Sequence, residues 1–183
     1  MKSSELIRWS GLAAVIAGAL FIVVNLIALL ILSFGQGSFE LLVRSAISSV
    51  AGTLLVLGLF GLYARQAEVT GIVGLIGFSF VLFGTILALA GNVWANLLAY
   101  LGWALFGVAS WQARVYPSMA AILLTISALI TAPFSILIAG GGSATLVYVG
   151  VGANIIFHLA IVWLGFALFA GRRVSAEQPH RDA

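Results

Sequence analysis

His158, Asn154 and Asn25 are the side chains of this sequence best placed to do chemistry away from water, because each falls inside a long apolar stretch. At ~100° per residue, Gly150, Asn154, His158 and Gly165 share a sector of about 80° on one helix face. His158 lies near the middle of its apolar span. An imidazole at that depth must find a partner, and it can serve as a ligand, a proton carrier or a structural hydrogen-bonding group. The structural role is the expectation: a neutral ring bonded to Asn154, Asn25 or a helix backbone, fixing the register of the bundle. A ligand or proton-handling role is the alternative, and cofactor ligation a third. Asn25 and Asn154 are read as interhelical hydrogen-bonding groups, a common use of amides in membrane helices.

Several other chemistries lack their residues. The acids Glu5, Glu40, Glu68, Glu177 and Asp182 all fall in predicted tails or loops, so no carboxylate is placed inside the bundle for a proton relay or a cation-coupled carrier. Lys2 is the single lysine, which leaves no Schiff-base amine within the apolar spans. A bis-histidine haem needs a second axial ligand, and His180 sits in the polar tail. Cysteine is absent, so thiolate metal sites, thiol nucleophiles and disulfides are excluded. No metal-ligand cluster is visible, and no cofactor is expected. Ser110 and His158 invite comparison with six-helix intramembrane serine proteases, but the local Gly107-Val108-Ala109-Ser110-Trp111 lacks their Gly-x-Ser-Gly, and Ser110 would lie about 6 Å deeper than His158. No enzyme activity is expected.

The elements that position these residues follow from composition. The chain has 183 residues, 63% hydrophobic and 7% charged, with a mean hydropathy of +1.22. Soluble domains carry roughly 25% charged residues. The fold class is therefore all-α and polytopic: a single membrane domain over 1–171 and a polar cytoplasmic tail over 172–183. About 20 apolar residues span a bilayer as a helix, and six such runs are predicted at 11–33, 43–63, 71–91, 95–112, 118–139 and 146–170. The first is too long for the core of a secretory signal and is read as a retained helix. From Gly71 to Ala113 no charge interrupts the chain, yet one helix of that length would reach about 64 Å. A reversal is therefore placed at Gly91-Asn92, near Asn96. Pro117 is expected to open the fifth helix, and Pro133 to kink it, with Thr131 or a partner helix satisfying the freed carbonyl.

With six helices, Lys2, Arg8, Arg65, Arg114, Arg172, Arg173 and Arg181 fall on one side and Arg44 alone on the other. Short basic loops stay cytoplasmic, which predicts both termini inside and a multi-pass protein of the cytoplasmic membrane. Trp9, Tyr63, Trp111 and Tyr116 would then lie near the inner interface, and Trp94, Tyr100 and Tyr148 near the outer one. The even-numbered helices end alike, in Leu57-Gly58-Leu59-Phe60-Gly61, Leu101-Gly102-Trp103-Ala104-Leu105-Phe106-Gly107 and Leu164-Gly165-Phe166-Ala167-Leu168-Phe169. Three helical hairpins would account for that pattern, and so would the general composition of membrane helices.

Gly11, Ala14, Gly18 and Asn25 share one face of the first helix. Gly74, Gly77 and Gly84 share one face of the third. Both are read as packing seams, and as candidates for association with a second copy or another membrane protein. Lipids are the expected surroundings. Nucleic acid is not an expected partner, because the basic residues are scattered singly.

The segment Gly61-Leu62-Tyr63-Ala64-Arg65-Gln66-Ala67-Glu68-Val69-Thr70-Gly71, followed by Gly74-Leu75-Ile76-Gly77-Phe78, resembles a stretch found in small uncharacterised bacterial multi-pass integral membrane proteins. The resemblance covers residues 61–78 and implies a bacterial cytoplasmic membrane and a shared turn; it carries no activity. Two functions are weighed on this footing. A non-enzymatic bundle acting as an accessory or interaction subunit is the expectation. A small transporter or channel for a neutral or weakly polar solute, with Asn25, Asn154 and His158 along its route, is the alternative. A polar cavity reaching His158 from one side would favour the second, and a dry, packed His158 the first.

Overall fold

The computed structural model describes residues 3–34, 38–92, 94–139, 141 and 143–171. Its described residues form α1 (Ser3–Phe34), α2 (Ser38–Leu89), α3 (Ala95–Gln112), α4 (Ser118–Ala139) and α5 (Ala144–Phe169). All of the regular structure among them is helical. The tail predicted over 172–183, and the loop residues 35–37, lie outside the described residues.

The second helix is not one rod. Gly71 interrupts it at φ 55°, ψ −148°, and the two arms, 38–70 and 72–89, pack back on each other. Tyr63 stacks on Phe78 with ring centroids 4.3 Å apart, and a Cβ on Gly52 would come within 2.6 Å of Leu89. In a straight helix residues 52 and 89 would be about 55 Å apart. The chain therefore reverses at a single residue. The sequence reading placed a loop over 64–70 here, and the structure corrects it. Ala64, Arg65, Gln66, Ala67 and Glu68 are good helix formers, so the first arm continues through them to the first residue that tolerates a left-handed φ.

The second reversal lies where the sequence put it. Gly91 adopts φ 91°, and the Asn92 side chain accepts a hydrogen bond from the Trp94 N–H at 3.1 Å. Pro117 stands just before α4, its carbonyl accepting from Ala120 and Ala121, so it precedes the first turn instead of occupying it. Pro133 lies inside α4; Thr131, expected to serve the carbonyl it frees, donates to Ser127 O instead. Arg114 takes φ 52° as α3 ends.

Neighbours in sequence are neighbours in space: α1 packs on α2, α2 on α3, α3 on α4, α4 on α5, and α5 returns to α1, with a lighter contact between α2 and α5. A closed ring of antiparallel rods requires an even number of them. Here α1 and α5 run antiparallel, Gly11 lying against Phe169 and Gly18 against Val162, and the reversal at Gly71 supplies the sixth rod. The small residues set the spacing. A Cβ on Gly165 would lie 2.8 Å from Gly11 O, one on Gly77 2.7 Å from Phe106 N, and one on Gly84 2.5 Å from Ala99 N. Backbones thus meet without intervening side chains.

The outer face of the ring is apolar. Leu30, Leu57, Phe60, Ile72, Phe83, Ile126, Leu129, Leu159 and Phe166 are all exposed, far more apolar surface than a water-soluble domain presents. Among the described residues, four helices are long and apolar enough to cross a membrane, the α2 stretch counting as one.

Gly165→Val, which forces two backbones apart, and Gly71→Val, which strains a left-handed φ, are each expected to cost about 1–3 kcal/mol. Gly152 has open space around its Cβ position, so Gly152→Ala in the same helix should be neutral or stabilise by up to about 1 kcal/mol. Thermal unfolding in detergent compares the three; an equal loss for Gly152→Ala and Gly165→Val would contradict the packing argument.

Candidate functional site

The six rods are unequally filled along their length. In the half nearer the chain termini, Leu59, Leu62, Phe106, Leu124, Ile161, Leu164 and Leu168 are fully buried. In the other half the corresponding positions are small or polar: Ser48, Gly52, Thr85, Ala88, Asn96, Ala99 and Ser135. The difference in side-chain volume leaves a cavity of about 540 Å³. It is a cup between the helices. Arg44 and Asn96 belong to its mouth, and Trp103 and His158 to its depth.

Asn25, Asn154 and His158 all line this cup, brought together by α1 and α5. The close approach of these helices is made by Gly11, Gly18 and Gly165. Asn25 Nδ2 donates to Phe21 O at 2.7 Å. His158 Nδ1 lies 2.8 Å from Asn154 O; since a carbonyl only accepts, Nδ1 carries the proton. The imidazole stacks on Phe21 at 4.7 Å and meets Phe157 edge-on at 5.0 Å. One end of the Asn154 amide, Nδ2, donates to the Tyr100 hydroxyl at 3.1 Å. The other end, Oδ1, is buried without a partner. His158 is thus both well packed, at 5% exposed, and part of a cavity wall. Of the partners weighed from the sequence, it is the backbone of its own helix, at Asn154 O, that bonds the imidazole, and neither amide side chain does.

Tyr100, Trp103 and Phe157 complete an aromatic wall. Tyr100, read from its sequence as lying near the outer interface, faces this cavity. Trp9, Trp94, Trp111 and Tyr148 are exposed. Among the described residues no group of three or more His, Asp or Glu side chains could hold a metal ion.

The closed end carries a second set of polar contacts that sequence reasoning missed. Gln66 is fully buried, although its neighbours Arg65 and Glu68 marked the region as a loop. Ser110 Oγ lies 2.5 Å from Gln66 Oε1 and 2.7 Å from Phe106 O, while Gln66 Nε2 lacks a partner. One hydroxyl proton cannot serve both acceptors. Turning the Gln66 amide over makes Nε2 the donor to Oγ and leaves the hydroxyl proton for Phe106 O, which satisfies Ser110 and makes Oε1 the unpartnered end of the amide. Ser110 and His158 share no contact: one belongs to the floor, the other to the cup.

Tyr116 is another floor residue. Read from sequence as an interface aromatic, it is 1% exposed and donates to Leu62 O at 2.8 Å, tying the α3–α4 turn to the first arm of α2. Arg65 lies over its ring at 5.6 Å and donates to Ala167 O at 3.4 Å. Burial pushes the Tyr116 hydroxyl well above the ordinary phenol range, with the Arg65 charge acting in the opposite direction. The folded state therefore holds this phenol protonated. Its contribution is complete below about pH 10, where an unfolded tyrosine begins to ionise, and declines as pH rises beyond that.

Tyr116→Phe should lower stability by about 1 kcal/mol at neutral pH through loss of the bond to Leu62 O, and should flatten the fall in stability above about pH 10. Thermal unfolding between neutral and strongly alkaline pH measures both; an unchanged alkaline profile would remove Tyr116 as its source.

No family model matches the chain, and neither the curated proteins nor the solved structures contain a match to it.

Proposed function

We propose that this chain is a non-enzymatic multi-pass membrane protein that binds a small neutral or weakly polar solute in a cup facing the outer side, as the outward-facing state of a small transporter. The observation that carries the reading is the meeting of Asn25, Asn154 and His158 in one cavity of about 540 Å³, within the ~300–1,000 Å³ range of small-molecule sites. Polar side chains at membrane depth are costly to keep unless they pair or line a route. Here several are left incompletely bonded on a common wall.

In this reading six segments cross the bilayer and both chain ends are cytoplasmic. Arg65 reaches Ala167 O, Arg8 lies 5.4 Å over the Phe169 ring, and Arg114 follows α3, so these three gather at the closed end. Arg44 is at the mouth. Short basic loops are retained inside, which points the cup outward. The resemblance at 61–78 to bacterial multi-pass proteins agrees with a cytoplasmic membrane.

The accessory-subunit reading drew on glycine faces free to meet a partner. Gly11, Gly18, Gly77, Gly84 and Gly165 instead meet helices of the same chain, so those seams are already used. A solute site keeps an argument that the partner reading has lost.

The cysteine-free sequence allows single-cysteine tests without background. Ser48→Cys and Asn96→Cys should react with a membrane-impermeant maleimide added outside intact cells, and Arg114→Cys only after permeabilisation. Uptake of small neutral solutes into proteoliposomes should exceed that of protein-free vesicles, and His158→Ala should reduce it about tenfold, the equivalent of one lost hydrogen bond. Labelling of Arg114→Cys from outside would reverse the orientation. A properly folded protein without uptake would end the transport reading.

A further inference from the structure

The deepest polar groups of the cup have their donors partly committed. One hydrogen of Asn25 Nδ2 goes to Phe21 O and that of His158 Nδ1 to Asn154 O, and since backbone carbonyls only accept, neither assignment can be turned over. What is left is, at Asn25, Oδ1 with one Nδ2 hydrogen and, on the neutral imidazole, the lone pair of His158 Nε2. That nitrogen can only accept. The Asn154 amide meets the Tyr100 hydroxyl through one end and leaves its other end without a partner. Phe21, Tyr100, Trp103 and Phe157 add apolar ring surface. Among the described residues no acid lines the cup, and Arg44 stands at its mouth, so a cation finds no counter-charge among the described residues within.

We propose that the cup takes an uncharged molecule with a compact apolar body and at least one O–H or N–H donor: an alcohol, a phenol or a primary amide. This deepens the solute-binding reading and rests on it. A donor placed against His158 Nε2 satisfies it, whereas an ether or ester oxygen in the same place sets lone pair against lone pair. Waters in a cup without solute can donate to this acceptor. A ligand that displaces them without donating forfeits the bonds that they made. Sites with committed polar groups therefore reject analogues lacking the matching group strongly, while an apolar wall alone discriminates weakly.

Trp103 lies in the wall, and Trp9, Trp94, Trp111 and Trp163 are exposed. Replacing those four by Phe leaves Trp103 as a fluorescent reporter in the purified full chain. Benzyl alcohol, benzyl methyl ether and benzylammonium are the probes. Benzyl alcohol should shift Trp103 emission saturably, with an affinity about tenfold or more above that of the ether, and benzylammonium should bind more weakly than the alcohol. His158→Phe, which preserves the ring stack on Phe21, should bring alcohol and ether together, and Asn25→Leu should narrow the gap. The comparison in the unsubstituted cup needs neither variant to fold. Equal affinities for alcohol and ether, or tighter binding of benzylammonium, overturn the donor rule and leave the cup a binding site. The absence of a saturable response to all three overturns the rule and, together with an unreactive Ser48→Cys, the solute-binding reading as well.

Discussion

Everything in this molecule depends on how closely two helix backbones can approach. Under the proposed membrane reading, hydrocarbon tails as apolar as leucine surround the bundle, so burial of leucine between helices would gain nothing from the hydrophobic effect, and association would rely on packing and hydrogen bonds. The seam between α1 and α5 is the critical case, since it closes the ring. Gly11 and Gly165 lie against each other's backbone, and Gly18 lies against Val162 and the His158 carbonyl. Without that closure α1 and α5 would not face a common interior, and Asn25 would not share a cavity with Asn154 and His158.

The ring then acquires direction from the distribution of volume. Large residues fill one half: Leu59 and Leu62 from α2, Phe106 from α3, Leu124 from α4, Leu164 and Leu168 from α5. Small residues occupy the other: Gly52, Ala88 and Ala99. The floor is tied laterally by hydrogen bonds that join different rods. Tyr116 bonds Leu62, Ser110 bonds Gln66, and Arg65 bonds Ala167. In the cup the bonds are mostly within one helix, as with Asn25 to Phe21 and His158 to Asn154. Polar cross-links thus fix the floor, while the cup is held by packing and, among the described residues, the cross-bond from Asn154 to Tyr100.

Much of this was legible in the sequence, for reasons that differ by element. Hydropathy alone identifies long helices, because a bilayer requires runs that water would not tolerate. Gly91 and Asn92 were recognisable as a turn because an apolar stretch twice the bilayer thickness must reverse, and turn-tolerant residues occur once near its middle. Asn25, Asn154 and His158 stood out because amides and imidazoles are rare at that depth. Gly71 was less legible as a one-residue hinge, since the charged residues before it resembled a loop although their helix propensity is high. The hydrogen bonds of Gln66, Ser110 and Tyr116 were not anticipated, although Ser110 and Tyr116 were singled out for other roles. Near a membrane boundary, a polar residue looks equally at home in water or in a floor. The cup itself leaves no local trace. A cavity is a deficit of volume summed over α1, both arms of α2, α3, α4 and α5, and no window of sequence contains it.

The structural and ligand-binding readings of His158 were posed as alternatives, and the geometry shows why they need not compete. An imidazole has two nitrogens with separable duties. Nδ1 donates to Asn154 O, and the ring is held between Phe21 and Phe157, which fixes its tautomer and orientation in the absence of any solute. Such fixing is what a recognition group requires, because an acceptor that must be reoriented on binding loses part of its interaction to ordering. The arrangement that sets register is therefore the one that presents Nε2. Asn25 is fixed likewise, one Nδ2 hydrogen anchored to Phe21 O while Oδ1 and the second hydrogen remain. In both residues the backbone of the residue's own helix holds one donor and orients what is left, so the cup confronts a solute with polar ends already fixed.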